Sequence, residues 1–233
     1  MKPTDLRFRL DRYVYGLQRL GIKKPADRIL TAIYEKIDQP AFCDRFRKYW
    51  NPFPSSKAYK FLDLNYWFRD NVHHYLWNRI DDMGPGLRIL DIGSGCGYFL
   101  AVCRHMGHDV LGLDIDEESI YRDSFDFLGL KRIIHRIEPK QPLPLLPHKM
   151  DLITAYLTCF NHHADGSPWN ADEWQFFIED LRTRLTDRGR IIIRFNLNHK
   201  TGEFYSAEVA RMIRSLPGMR AKFLLDYVFL ASA

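Results

Sequence analysis

Glycines stand at every second position in Asp91-Ile92-Gly93-Ser94-Gly95-Cys96-Gly97, directly after the apolar run Ile89-Leu90. A second run, Val110-Leu111-Gly112-Leu113, ends in the carboxylate of Asp114, 21 residues beyond Gly93. Glycine lets a backbone turn sharply and approach a ligand closely, and a helix that follows offers unpaired N–H groups at its start. Asp91, Gly93, Ser94, Gly95 and Gly97 therefore make a candidate binding loop, with Asp114 about where a ribose-binding acid belongs. The dinucleotide pattern asks for a glycine three places after its second glycine, where Tyr98 stands here. No Gly-Lys-Ser or Gly-Lys-Thr appears, which excludes a Walker loop. Asp91 would also repel a phosphate, so the loop favours a nucleoside cofactor without one.

S-adenosylmethionine meets these constraints, with a ribose diol, an ammonium, a carboxylate and a sulfonium. Through Arg88 to Leu100 and Leu111 to Asp114 the chain resembles the class I S-adenosylmethionine-dependent methyltransferases, over roughly residues 85 to 233. The resemblance implies that the backbone around Gly93, Gly95 and Gly97 holds the methionine part. It gives Asp114 the ribose hydroxyls, and Asp91 the orientation of the loop and the amino end of the cofactor. It also implies an N-terminal extension that covers the donor and builds part of the acceptor pocket, with Tyr59, Tyr66 and Trp67 as candidate lining residues. The acidic residue that the family places near adenine is not evident at His135 or Arg136, and Glu138 is an offset substitute.

In open α/β sheets ligands collect beyond the carboxyl ends of the strands. The fourth predicted strand runs into Thr158-Cys159-Phe160-Asn161-His162-His163, then a loop through Trp169. Of the two histidines, His162 comes sooner after the strand and is favoured over His163 as the group that takes a hydroxyl proton. Asn161 is a candidate for orienting an acceptor, and Trp169 for shaping its pocket. His162, His163 and Asp165 have generic spacing, and no metal is expected. The Asn-Pro-Pro-aromatic and Pro-Cys signatures of nucleic-acid methylation are absent. The reading is O-methylation of a small or medium-sized metabolite. Its alternatives are methylation of RNA or protein, and a cofactor-binding interaction protein without catalysis.

These residues need a scaffold. At 233 residues, 46% hydrophobic and 27% charged, the chain suits a soluble globular protein with no bilayer-spanning run. It starts without the apolar stretch of a signal peptide, so the cytoplasm is the expected location. Cys43, Cys96, Cys103 and Cys159 lack zinc-site spacing and read as reduced packing residues. Residues 1–60 hold 14 Lys and Arg against 6 Asp and Glu, a basic stretch that leaves RNA open as a partner, although a solvated helix face explains it too. Oligomeric state is not legible.

Residues 1–82 read as a helical, aromatic-rich cap within the same compact unit, and 83–233 as the cofactor-binding catalytic domain. Strands are expected at 87–92, 109–114, 131–137, 151–156 and 190–196, alternating with helices at about 98–106, 117–128, 170–185 and 205–216. Pro139, Pro142, Pro144 and Pro147 exclude a full helix between the third and fourth strands. The alternation predicts an α/β fold, a Rossmann-like, doubly wound, mostly parallel sheet with helices on both faces. Residues 219–230 show no obvious turn and fit either two short strands or one long one.

Overall fold

The computed structural model describes residues 22–50, 58–196, 205–218 and 227–231. Within them one sheet has the order β3-β2-β1-β4-β5-β6. Its strands are β1 (Arg88–Ile92), β2 (Asp109–Asp114), β3 (Arg132–Ile134), β4 (Met150–Thr158), β5 (Leu185–Phe195) and β6 (Tyr227–Ala231). The first five are parallel, and β6 runs antiparallel to β5. The chain moves outward from β1 to β3, then places β4 on the other side of β1. Such a reversal opens a crevice beyond the carboxyl ends of the two central strands. The fold is the expected Rossmann-like, doubly wound sheet.

Period-two alternation sorts the two faces. Ile89, Leu152 and Ile192 enter one apolar cluster, and Leu90, Ile153 and Ile191 the other. The first face is covered by α4 (Tyr98–His105) and α5 (Ser119–Leu128). Over them lies an N-terminal layer of α1 (22–34), α2 (Gln39–Phe46) and α3 (Leu64–Trp77). Ala26, Leu30, Phe68 and Val72 share their cluster with Ile89 and Leu100, so this layer is built onto the core of the sheet. The second face is covered by α6 (Ala171–Thr183) and α7 (Ala207–Ser215).

Several boundaries differ from expectation for local reasons. Within the cap expected to be helical, a single 3-10 turn, Tyr59–Phe61, precedes α3, whose start is capped by Asp63. β3 is shorter than expected. Helix α6 starts at a capping box of Asn170 and Glu173 but stops at Thr183, short of the expected end, because Leu185 already pairs with Met150. The register then shifts before Leu152 meets Arg190. Gly189 sits in this irregular stretch, where a Cβ would lie 2.8 Å from the Cβ of Leu185. The proline-rich connection has no helix and is fastened by α6. Arg184 donates to the carbonyls of Leu143 at 2.5 Å and Pro144 at 2.7 Å, and Asp180 accepts from the Leu143 N–H at 3.0 Å. The turn expected at 51–56 and the segment 219–226 lie outside the described residues.

Buried His108 ties α3 to the start of the sheet. Its Nδ1 accepts from the Leu87 N–H at 3.2 Å, which leaves the proton on Nε2 to donate to the Tyr75 hydroxyl at 2.9 Å. Burial holds the His108 pKa below the ordinary 6.5. The unfolded chain therefore takes up this proton first, and the stability contribution is present above 6.5 and lost as pH falls through the folded value. His108→Gln should cost ~1–3 kcal/mol at about pH 8, with the gap to wild type narrowing toward about pH 5. Denaturant unfolding at several pH values checks this, and a pH-independent gap would refute it.

Candidate functional site

The glycine loop leaves β1 at the crevice, and the N–H groups of all three glycines have partners. Gly93 N–H donates to Leu113 O at 2.8 Å, Gly95 N–H to Asp114 Oδ2 at 2.5 Å, and Gly97 N–H to Ser94 O at 2.8 Å. Ser124 Oγ donates to Cys96 O at 2.7 Å, which pins the loop to α5. All three glycines have positive φ, but only two face open space. A Cβ on Gly93 would meet nothing within 4 Å, and one on Gly95 only Tyr121 Cε1 at 4.0 Å. On Gly97 it would collide with Leu130 Cδ1 at 2.8 Å and Phe125 Cε2 at 2.9 Å. Gly97 thus faces the core and closes the turn, while Gly93 and Gly95 border the crevice. Ser94 Oγ is buried and has no partner among the described residues.

The two carboxylates occupy different environments. Asp114 Oδ1 accepts from the Ile115 N–H at 2.7 Å while Oδ2 holds Gly95, so each oxygen keeps accepting capacity. Burial raises its pKa, partly offset by those two N–H bonds and by Arg132. Asp91 is buried beneath the loop and accepts from Thr154 Oγ1 at 2.6 Å. Burial pushes its carboxyl up to about 7, against the Thr154 hydrogen bond and with help from the Asp114 charge. The buried thiol of Cys96 is also raised by burial, consistent with packing rather than nucleophilic chemistry.

Tyr121, on α5, is a wall residue that the sequence did not single out. Its ring borders the space above Gly95 and meets Phe61 edge-on at 5.6 Å. After burial, the Asp114 charge is the main influence raising its phenol pKa. The N-terminal layer reaches the same region. Tyr98 donates to Phe61 O at 2.7 Å and Trp67 Nε1 to Lys60 O at 2.6 Å, which fixes residues 60 and 61 over the start of α4. Trp67 packs on Phe61, whereas Tyr66 is 58% exposed. Tyr59 opens the 3-10 turn, and its side chain lies outside the described residues.

Across the crevice, β4 carries an irregularity at Leu157, a non-glycine residue at φ +54. Asn196 Nδ2 donates to its carbonyl at 2.8 Å. The loop beyond folds back on itself through Trp169 N–H to Asn161 O at 2.9 Å and His163 N–H to Ser167 O at 2.8 Å. His162 is exposed, while His163 Nε2 lies 3.2 Å from Glu173 Oε2, within the α6 capping box. The Trp169 ring is 2% exposed and packs against Phe160, Trp174 and Phe177. Its Nε1 and the Oδ1 of Asn161 are buried without partners among the described residues.

A buried polar group joins α3 to β4 and β5 beside this loop. His74 Nε2 lies 3.2 Å from both Asp70 Oδ2 and Arg194 Nη1, and the ring stacks on Tyr156 at 4.8 Å. Asn78 Nδ2 donates to the Tyr156 hydroxyl at 3.1 Å. Beyond the end of β3, Arg136 pairs with Glu117, and Glu138 is exposed.

No protein-family model matches the sequence, and no curated protein is detectably similar to it. Solved structures similar to this chain include magnesium protoporphyrin IX methyltransferase from Synechocystis PCC 6803, with bound SAM. It is 19% identical, with 82% of this chain and 90% of that one covered and a TM-score of 0.47. A putative rRNA methylase from Clostridium thermocellum is 12% identical, with 66% and 94% covered and a TM-score of 0.49. An amino pentose methyltransferase from Micromonospora echinaspora is 18% identical, with 55% and 50% covered and a TM-score of 0.43, so the chain spans half its length. Likeness at this level carries no argument about the reaction of this chain.

A folded-state pKa of about 7 against an ordinary 3.8 means that Asp91 lends stability at low pH and withdraws it as pH rises through that window. Asp91→Asn should therefore leave stability near wild type at about pH 4 and raise it at about pH 8, by up to on the order of 4 kcal/mol. Thermal unfolding at the two pH values checks this. Equal melting temperatures at both would show that the buried charge carries no such cost.

Proposed function

We propose that this chain is an S-adenosylmethionine-dependent methyltransferase acting on a small or medium-sized metabolite at oxygen. The reading rests on one observation: the Asp114 carboxylate holds Gly95, with open space over Gly93 and Gly95, at the reversal point of the sheet. An acid with spare lone pairs suits a ribose diol, and the absence of a side chain on two neighbouring residues suits the close approach of a nucleoside. Bound there, S-adenosylmethionine supplies an electrophilic methyl group. Asp114 receives the ribose hydroxyls, Asp91 favours the cationic amino end from below, and Tyr121 walls the site. Calorimetry with S-adenosylhomocysteine should find one site, weakened about tenfold or more by Asp114→Asn, which exchanges a charged acceptor for a neutral one. A folded protein that binds neither donor nor product, or that prefers NAD, overturns the proposal.

The acceptor would enter between α3 and the loop after β4, past Tyr66, Trp67 and Asn161, and the different surroundings of the two histidines support different roles for them. His162 is exposed and takes the hydroxyl proton as the new bond forms. His163 is engaged by Glu173 and anchors the loop to α6. With an acceptor found by screening hydroxylated metabolites for S-adenosylhomocysteine release, His162→Gln should lower kcat by about 100-fold or more, with folding and cofactor affinity unchanged. His163→Gln should mainly lower the melting temperature. If His163→Gln abolishes turnover at unchanged stability while His162→Gln does not, the two roles are reversed.

A further inference from the structure

The helices on the first face leave a groove of about 390 Å³ where the end of α1 and the turn after it meet α3, α4 and α5. It reaches from Ala101 to the His105 end of α4, and the glycine loop lies at the Tyr98 end, about 10 Å from His105 along the helix. No residue of the candidate cofactor site lines it. The volume falls in the range of small-molecule pockets, and the floor is apolar, formed by Ile37, Phe68, Ala101 and Phe127 among others.

The rim is net cationic. Lys36 and Arg104 stand around the floor together with the imidazole of His105, and Asp38 is the acidic member. Asp38 is occupied in capping α2, where its Oδ1 accepts from the Ala41 N–H at 2.9 Å. Arg104 Nη1 donates to Gly129 O at 2.9 Å, which holds the guanidinium in place without neutralising it. Among the described residues neither Lys36 nor His105 has an ion-pair partner. Lys36 and His105 both line the groove, and burial, then the Lys36 charge, hold the His105 pKa below its ordinary value. An anion between them offsets that charge.

We propose that this groove binds a small amphiphilic carboxylate, its apolar body on the floor and its carboxylate between Lys36 and His105. Charge complementarity selects an external anion. The segment 1–21 of this chain carries five Lys and Arg against two Asp and would be repelled by the rim. The site is independent of the donor site and of the methyltransferase reading.

Octanoate is the probe, with 1-octanol as its uncharged counterpart, each titrated into the full chain and followed by amide and imidazole nuclear magnetic resonance. Octanoate should give saturable shifts at Lys36, Ala101, His105 and Leu128, and should raise the His105 titration midpoint. Lys36→Glu, an exposed substitution, should weaken binding about tenfold, and 1-octanol should bind correspondingly worse. Shifts that do not saturate, equal response to the alcohol, or equal affinity in Lys36→Glu would each overturn the proposal. S-adenosylhomocysteine titrated into the same samples reports the donor site separately.

Discussion

A carboxylate at the end of β2 fastens the loop that leaves β1. Through this one contact, Asp114 to the Gly95 N–H, two adjacent strands and the start of α4 share a fixed geometry. Three glycines in left-handed conformations would otherwise be a floppy and entropically costly turn. Phe125 completes the arrangement from above, filling the space that side chains at Gly97 and Gly112 would need. The loop is thus held by its partners on both sides, and what remains open over Gly93 and Gly95 is shaped before any ligand arrives.

Such preorganisation has a local cost. Any hydroxyl that binds Asp114 shares the carboxylate with Gly95 and Ile115, so the acid must serve the protein and the ligand together. Asp91 shows the same tension more strongly, because its charge is disfavoured where it stands and favoured once a cation lies nearby. Stability given up at a binding loop and recovered elsewhere in the core is a frequent pattern in folded proteins.

The loop and Asp114 were legible in the sequence because strand, turn and helix constrain spacing locally, and parallel strands buried on both faces read as apolar runs. What depended on packing at long range was not. Tyr121 borders the open space over Gly95 because of how α5 packs on the sheet, and no motif marks it. His74 and Arg194 are 120 residues apart and meet only in the folded chain. The left-handed turn at Leu157 carries no compositional signal at all, since leucine rarely adopts it. His163 was read for chemistry, and its contact with Glu173 appears only once the loop has folded back onto α6.

The position of His74 has a consequence in proton bookkeeping. One nitrogen faces both a carboxylate on its own helix and a guanidinium on β5, and a neutral imidazole cannot donate to the first and accept from the second at the same atom. With the hydrogen on Nε2 the ring is bonded within α3, and with it on Nδ1 the ring is bonded across to the sheet. The tautomer of one buried ring therefore decides which hydrogen bond Nε2 makes, the one within α3 or the one across to β5, while the stacking of the ring on Tyr156 holds in both.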